Sequence, residues 1–372
     1  VKRFERLIVP GVILLLIAIV IARSIPRAVV EHAGPAWVTL TCEHMATTIS
    51  VTVPDDKRAG DAVRIVSDTF GEVDRDMSEW KAGSPLAEVN RLAGVEPVKV
   101  PPDLLDLVER SIRLAEITNG AFDPTWAALW GVWDFKAEHP RVPDDAAIER
   151  ATALIDYRQI EIDRDASTLY LPRKGMKIGL GGIAKGYALD LTVQRLHDAG
   201  FNDFVITGGG QVYASGTKDG RPWCVGVRDP RGPPDDSFGI VELSDASLST
   251  SGDYERFFII DGVRYHHILD PRTGRPADSP RSVTVLCPDA TLADAVSTAL
   301  MIVEPAPPKP IPVGTAADAA STVLIAVPPD PRELLIRETG VTWALIVEQD
   351  GTVTQLGESP PGFTLLHNPR SE

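Results

Sequence analysis

The stretch GLGGIAKGYALD, residues 179–190, places four glycines in twelve positions and then passes into a helical pattern that continues through LTVQRLHDAG. Glycine at that density means a backbone that bends sharply or lies against something that leaves no room for a side chain. A fold that accommodates it must deliver the N-terminus of a helix out of a tight loop. The free N–H groups there suit an anion. The stretch is not a P-loop, because Lys185 is neither preceded by Gly nor followed by Ser or Thr. Gly179, Gly181 and Ala184 fit a variant of the dinucleotide fingerprint. The acid expected about 20 residues further on would fall near Gly200, where no strand-then-acid pattern stands. Two readings stay open at this point: a turn facing phosphate, and a turn where a helix packs tightly on a sheet.

Charge narrows the ligand. The chain has 372 residues and a formal net charge of −15, with no basic stripe in its body. Nucleic-acid binding depends on Lys and Arg neutralising phosphates, so no nucleic-acid partner is expected. Any phosphate must be held locally, by backbone N–H groups, a single Lys or Arg, or a metal ion. Cys42, Cys224 and Cys287 are far apart and form no metal-binding spacing.

At the N-terminal end, VKRFER is followed by sixteen uncharged residues, 7–22, and then by Arg23 and Arg27. The run is a little short of the ~20 residues of a full span and longer than a usual signal-peptide core. It reads as an uncleaved membrane anchor over 1–27, with the body exported; a cleaved signal is the second reading.

From about residue 36 onward, strand-like and helical patterns mix. TTISVTV (47–53) predicts a strand, as do TLYLP, KIGL, FVITG and WCVGV. Ala62, Ile65, Val66, Thr69, Phe70 and Val73 mark one helix face, and LLDLVERSIRLAEITNG (104–120) a second helix stopped by Gly120. FFII-DG-VRYHHI (257–268) is a hairpin signal. EPAPPKPIP (304–312) opens a Pro-rich insertion over 304–317 in a domain running from 36 to 358. The order predicts an α+β fold, two lobes sharing one crevice.

Two further stretches carry chemistry. ADAVSTAL (293–300) puts Asp294 and Thr298 four apart on one helix face, a hard-oxygen pair suited to Mg²⁺. In YHHILDPRTG (265–274), His266 and His267 point to opposite faces of a strand. A His there and Asp270 in the turn suggest a base and its partner. A solvated helix face and a structural His remain the plain alternatives.

Together, MAT (45–47), MSEW…SPLAEVN (77–90), TNGAFDPTWAALW (118–130), GGIAKGYALD (181–190), HHILDPRTG (266–274) and ADAVSTAL (293–300) resemble the ApbE family, the FAD:protein FMN transferases. The likeness runs from about residue 40 to 303 and more loosely to about 355. It implies that FAD lies in the crevice. With Mg²⁺, its FMN half would pass to a Ser or Thr hydroxyl of another, exported or membrane protein, and AMP would leave. It further implies nucleotide contacts at Met45, Trp80, Ala121, Phe122, Asp123, Lys185 and Ile268. The metal ligands would be the Gly182 carbonyl, Asp294 and Thr298, and His267 the general base assisted by Asp270. Asn90 stands where the family's side chain decides whether FAD is processed or held. Gly179 replaces an Asp that often contacts FAD, Trp80 a commoner Tyr, and Gln211 a frequent Asp. The location implied is a bacterial inner membrane, with the catalytic domain on its periplasmic side. An FAD-binding flavoprotein and an FAD pyrophosphatase are the competing functions.

Overall fold

The computed structural model describes residues 30–34, 37–305 and 330–370. The uncharged run 7–22 and all but the first two residues of 304–317 lie outside the described residues. Among the described residues no helix is long and apolar enough to cross a membrane.

A nine-stranded antiparallel sheet organises the chain. Its order, with strands numbered along the sequence, is β1 (Val30–Gly34), β2 (Trp37–His44), β3 (Thr47–Pro54), β7 (Phe204–Gly208), β8 (Gln211–Ser215), β11 (Ala246–Gly252), β16 (Ser282–Cys287), β17 (Trp343–Val347) and β18 (Val353–Gly357). Both faces are covered, and β17 shows how. Ala344 and Ile346 face a core shared with helices, while Trp343, Leu345 and Val347 face a second core. A strand buried on both sides reads as an unbroken apolar run, which WALIV is.

The helix side carries α1 (Ala59–Asp76), α5 (Ala184–Asp198) and α6 (Ala290–Leu300). The other side carries a small sheet of β9 (Trp223–Arg228), β10 (Ser237–Leu243) and β19 (Thr364–Leu365). Around the helix layer stand α2 (Pro85–Arg91), α3 (Pro102–Ile117), α4 (Asp145–Thr152), α7 (Pro331–Thr339) and a patch of β4 (Val98–Lys99), β5 (Glu161–Asp163) and β6 (Thr168–Tyr170). A satellite cluster of Leu129, Trp133, Ile148, Ala151, Phe258 and Leu269 supports the β12 (Phe257–Ile260)–β13 (Val263–His266) hairpin and the β14 (Leu269–Asp270)–β15 (Arg275–Pro276) turn.

Much of this follows from the local patterns. On α1, Ala62, Val66, Thr69, Phe70 and Val73 are buried, and Ile65 packs at the edge of the core. Asp261 and Gly262 both take positive φ, 51° and 79°, as a two-residue hairpin turn requires. KIGL, by contrast, is not a strand: residues 177–180 are irregular. No neighbouring strand pairs with them. The Asn90 side-chain amide does so instead, donating to Ile178 O (2.8 Å) and accepting from Ile178 N–H (2.7 Å).

Candidate active site

The irregular run ends in the glycine turn, which feeds α5. Gly186, in the first turn of α5, lies against the Ala290 carbonyl so closely that a Cβ would overlap it. This contact lets α5 and α6 cross with Asp294 beneath the helix N-terminus. Asp294 Oδ2 accepts the Gly186 N–H at 3.1 Å, and Oδ1 lies 3.9 Å from Lys185 Nζ. Part of the anion site expected at this helix N-terminus is therefore filled by the protein's own carboxylate. Burial pushes the Asp294 carboxyl up, against the pull of the Lys185 ammonium and the Gly186 and Lys185 amides.

One turn further along α6, Thr298 meets the glycine turn. A Cβ on Gly182 would lie 3.4 Å from Thr298 Oγ1 and 3.4 Å from Phe122 Cε2. The Ser251 hydroxyl of β11 sits 3.3 Å from Thr298 Oγ1. Gly182 and Thr298 thus meet, with Asp294 one turn back on α6; a backbone carbonyl, a carboxylate and a hydroxyl are hard-oxygen donors, the chemistry that fits Mg²⁺. Lys185 joins them, its ammonium donating to Gly181 O at 3.2 Å. Gln211 has a reason to be an amide here: its Nε2 donates to Ala290 O at 2.9 Å, which a carboxylate does not do.

Asn90, Gly179 and Asp123 build the loop through bonds to the main chain and to neighbouring side chains. Asn90 is committed to Ile178, as described. Gly179 donates its N–H to Pro124 O (2.8 Å), and its carbonyl accepts from the Trp126 indole Nε1–H (3.1 Å). A Cβ on Gly179 would come within 2.9 Å of Ala127 Cβ and 3.1 Å of Trp126 Nε1. The indole occupies the room that an Asp at 179 would need. Asp123 is an N-cap: Oδ1 accepts from Thr125 N–H (2.7 Å) and Oγ1 (2.6 Å), and Oδ2 from Tyr157 N–H (3.1 Å). Its neighbour Ala121 is wholly buried.

Met45 and Ala46 form the β2–β3 turn with positive φ, 49° and 58°, in residues other than glycine. Asp74 steadies this strained turn by accepting the Met45 N–H at 3.3 Å. Trp80, 70% exposed, stacks on Trp130 with ring centroids 3.6 Å apart.

On the other side of the site, His267 follows β13, and its N–H donates to Arg256 O at 3.0 Å. Burial, helped by the charges of Arg256, His266 and Lys185, pulls its imidazole down to about 4. Its Nδ1 is buried without a hydrogen-bond partner. His266 points away, with Nε2 at 3.1 Å from Ala277 O and 3.2 Å from Ser279 Oγ. The Asp270 carboxylate is held within its own turn. Both its oxygens engage the Arg272 guanidinium, at 2.7–3.2 Å, and Gly274 N–H donates to its carbonyl at 2.8 Å. The turn sequence DPRTG supplies its own counter-ion two residues on. Ile268, buried beside it, bonds through its carbonyl to Ala277 N–H (3.0 Å).

Glu79 went unnoticed in the sequence. It lies against the glycine turn, Oε1 3.7 Å from where a Gly181 Cβ would stand, and burial pushes its carboxyl up to about 7. A lone acid in an aperiodic loop gives no sequence signal. Among the described residues, Asp229, Asp236 and His367 come close enough to suggest a metal cluster. Arg370 already engages both carboxylates, through its N–H to Asp229 Oδ2 (3.0 Å) and its guanidinium to Asp236 Oδ2 (2.5 Å).

The family model that matches the chain is that of the ApbE family, over residues 45–309. The chain is 39% identical over 242 residues to the FAD:protein FMN transferase of Treponema pallidum (strain Nichols), a match spanning 61% of this chain and 67% of that protein. The crystal structure of the ApbE protein from Thermotoga maritima aligns with a TM-score of 0.69 at 30% identity, over 86% of this chain and 97% of that one. The flavin transferase ApbE from Vibrio cholerae aligns with a TM-score of 0.70 at 26% identity, over 87% and 98%.

Proposed function

The chain belongs to the ApbE family, and on that premise we propose that it moves the FMN half of FAD, with Mg²⁺, to a Ser or Thr hydroxyl of another protein and releases AMP. The observation that carries this reading is the meeting of Gly182, Asp294, Thr298 and Lys185 at one glycine turn.

The bond broken is in the diphosphate of FAD. The acceptor oxygen bonds to the phosphorus of the FMN half, the bridging P–O bond breaks, and AMP carries away the electron pair. The hydroxyl proton goes to His267. Its depressed basicity keeps the imidazole neutral at physiological pH, so one ring nitrogen is free to accept. Lys185 offers a fixed ammonium to a phosphate, and the clamped glycine turn holds it in place. Held by Gly182, Asp294 and Thr298, a Mg²⁺ ion would neutralise charge on the phosphate oxygens and on departing AMP. Exposed Trp80, stacked through one face on Trp130, offers its other face to the flavin.

We place the catalytic part outside the cytoplasm, tethered by the run 7–22; the support is that run's apolar sequence and its basic flank. The test is to incubate the full chain with FAD, Mg²⁺ and candidate exported proteins. An FMN-mass addition on a Ser or Thr, with equimolar AMP, is expected. AMP without labelling of any acceptor points to a pyrophosphatase, and intact FAD points to a binder.

A further inference from the structure

The two halves of the site come from distant parts of the chain, yet one short segment touches both. Residues 124–133 begin with the 3₁₀ turn Pro124–Leu129 and end at Trp133. At one end the Trp126 indole N–H donates to the carbonyl of Gly179, at the head of the metal-holding turn (3.1 Å). At the other, the Trp133 indole N–H donates to the carbonyl of Gly274, which closes the turn after His267 (2.8 Å). Each indole meets a glycine that admits no side chain. A Cβ would lie 3.1 Å from Trp126 Nε1 at Gly179, and 3.1 Å from Leu129 Cδ2 at Gly274. The Trp133 ring also lies against the hairpin, with Tyr265 and Phe258 at centroid distances of 6.0 and 6.4 Å.

We propose that segment 124–133 is a brace that sets the separation between the metal-holding and the proton-accepting halves of the site, with Trp126 and Trp133 as its two positioning residues. The inference rests on the reading given under Proposed function. In that reading the acceptor oxygen must lie within reach of His267 while the diphosphate is held at the Gly182–Asp294–Thr298 side. Holding both in one geometry is worth far more than either contact alone. A tryptophan suits the task, because its single donor sits on a large rigid ring that is itself held by packing.

The test compares Trp126→Phe with Trp133→Phe in the full chain, each of which keeps an aromatic ring and deletes the donor. Mn²⁺ binding without FAD is read from the loss of the free-ion electron paramagnetic resonance signal. The rate of FMN transfer is read at saturating FAD and Mg²⁺. Trp126→Phe is expected to weaken Mn²⁺ binding about five- to tenfold, the equivalent of one hydrogen bond. Trp133→Phe is expected to leave Mn²⁺ binding within about twofold and to slow transfer by about tenfold or more, as misplacement of a reacting group does. Gly179→Ala, which pushes the indole away, is expected to reproduce Trp126→Phe and carries the test if that variant does not fold. Equal changes in both readouts for both variants, or no change in either, would overturn the brace. If the unmodified chain releases AMP without a divalent ion, the functional reading fails and the brace falls with it. If the unmodified chain needs the ion and the variants do not separate, the brace alone is wrong.

Discussion

The two halves of the site are built in different ways. The half proposed to hold the metal stands on the main core: α5 and α6 cross at Gly186 and Ala290, and Asp190 caps α6 through the N–H groups of Ala290 and Thr291, both at 2.8 Å. Asp294 and Lys185 are engaged within the protein there, while Gln211 Oε1 is buried without a partner. The proton-accepting half stands on a small satellite cluster, under a hairpin whose two strands pair only with each other. There His267 Nδ1 has no partner, and Phe257, Ile259 and Val263 are exposed. Charge is held by groups fixed in place before any ligand arrives, which suits electrostatic stabilisation. His267, the proposed proton acceptor, sits on the smaller cluster.

If that division holds, damage to the first half should be the more severe. Asp294→Ala is expected to take AMP release to background while flavin still binds, since the variant loses the one carboxylate among the three metal ligands. Measurement of AMP and of flavin fluorescence quenching separates the two effects. AMP release at the parent rate by this variant would falsify the metal role. Damage to the second half should cost less: His267→Ala is expected to slow transfer by about 10²–10⁴-fold with FAD affinity kept. Full labelling of an acceptor by that variant would remove His267 from the mechanism. In the parent chain, transfer should be flat from pH 8 down to about 5 and fall as the imidazole gains its proton near 4. The linked stability has the same direction. With a folded value below the usual 6.5, the neutral His267 contributes stability that is present above 6.5 and lost as pH falls through about 4.

A third prediction concerns the link between loop and core. Asn90→Leu leaves the Ile178 N–H and C=O buried without partners, at about 1–3 kcal/mol for each group. The loss should show as faster hydrogen exchange over 177–182 and weaker FAD binding, with the global melt lowered less. Unchanged exchange over that run would mean that Asn90 is not the strut.

The same division explains what could be read in advance. Asp294 and Thr298 were legible because a helix fixes residues four apart on one face, and the hairpin because Asp-Gly fits the turn that joins such strands. KIGL was misread as a strand because its alternating residues find no partner strand; a side chain 88 residues away takes that place. The bonds that Asn90, Asp123 and Gly179 make were not legible. Each acts through bonds that only the folded chain brings together. The Trp126 and Trp133 donors reach carbonyls 53 and 141 residues away, so no local pattern announces them. Asp270 lies three residues from His267 in the sequence, and in the fold its carboxylate binds Arg272, two residues on.

The smallest effect expected is at Glu79, beside the glycine turn. Its carboxyl lies beside the glycine turn, faces Lys185 and Asp74, and accepts the Leu180 N–H, yet burial dominates and lifts it from 4.5 to about 7. An acid whose folded value lies above its unfolded one favours the fold in its protonated form. That contribution is fully present below about 4.5 and is lost as pH rises through about 7. Glu79→Gln fixes the neutral form. The melting temperature of the variant relative to the parent should therefore climb between pH 5 and pH 8, by roughly 1–2 °C for each kcal/mol of carboxylate penalty removed. A gap that stays constant across that range would mean that Glu79 is already charged beside the glycine turn, with Lys185 outweighing burial. The glycine turn would then face one more fixed negative charge beside that of Asp294.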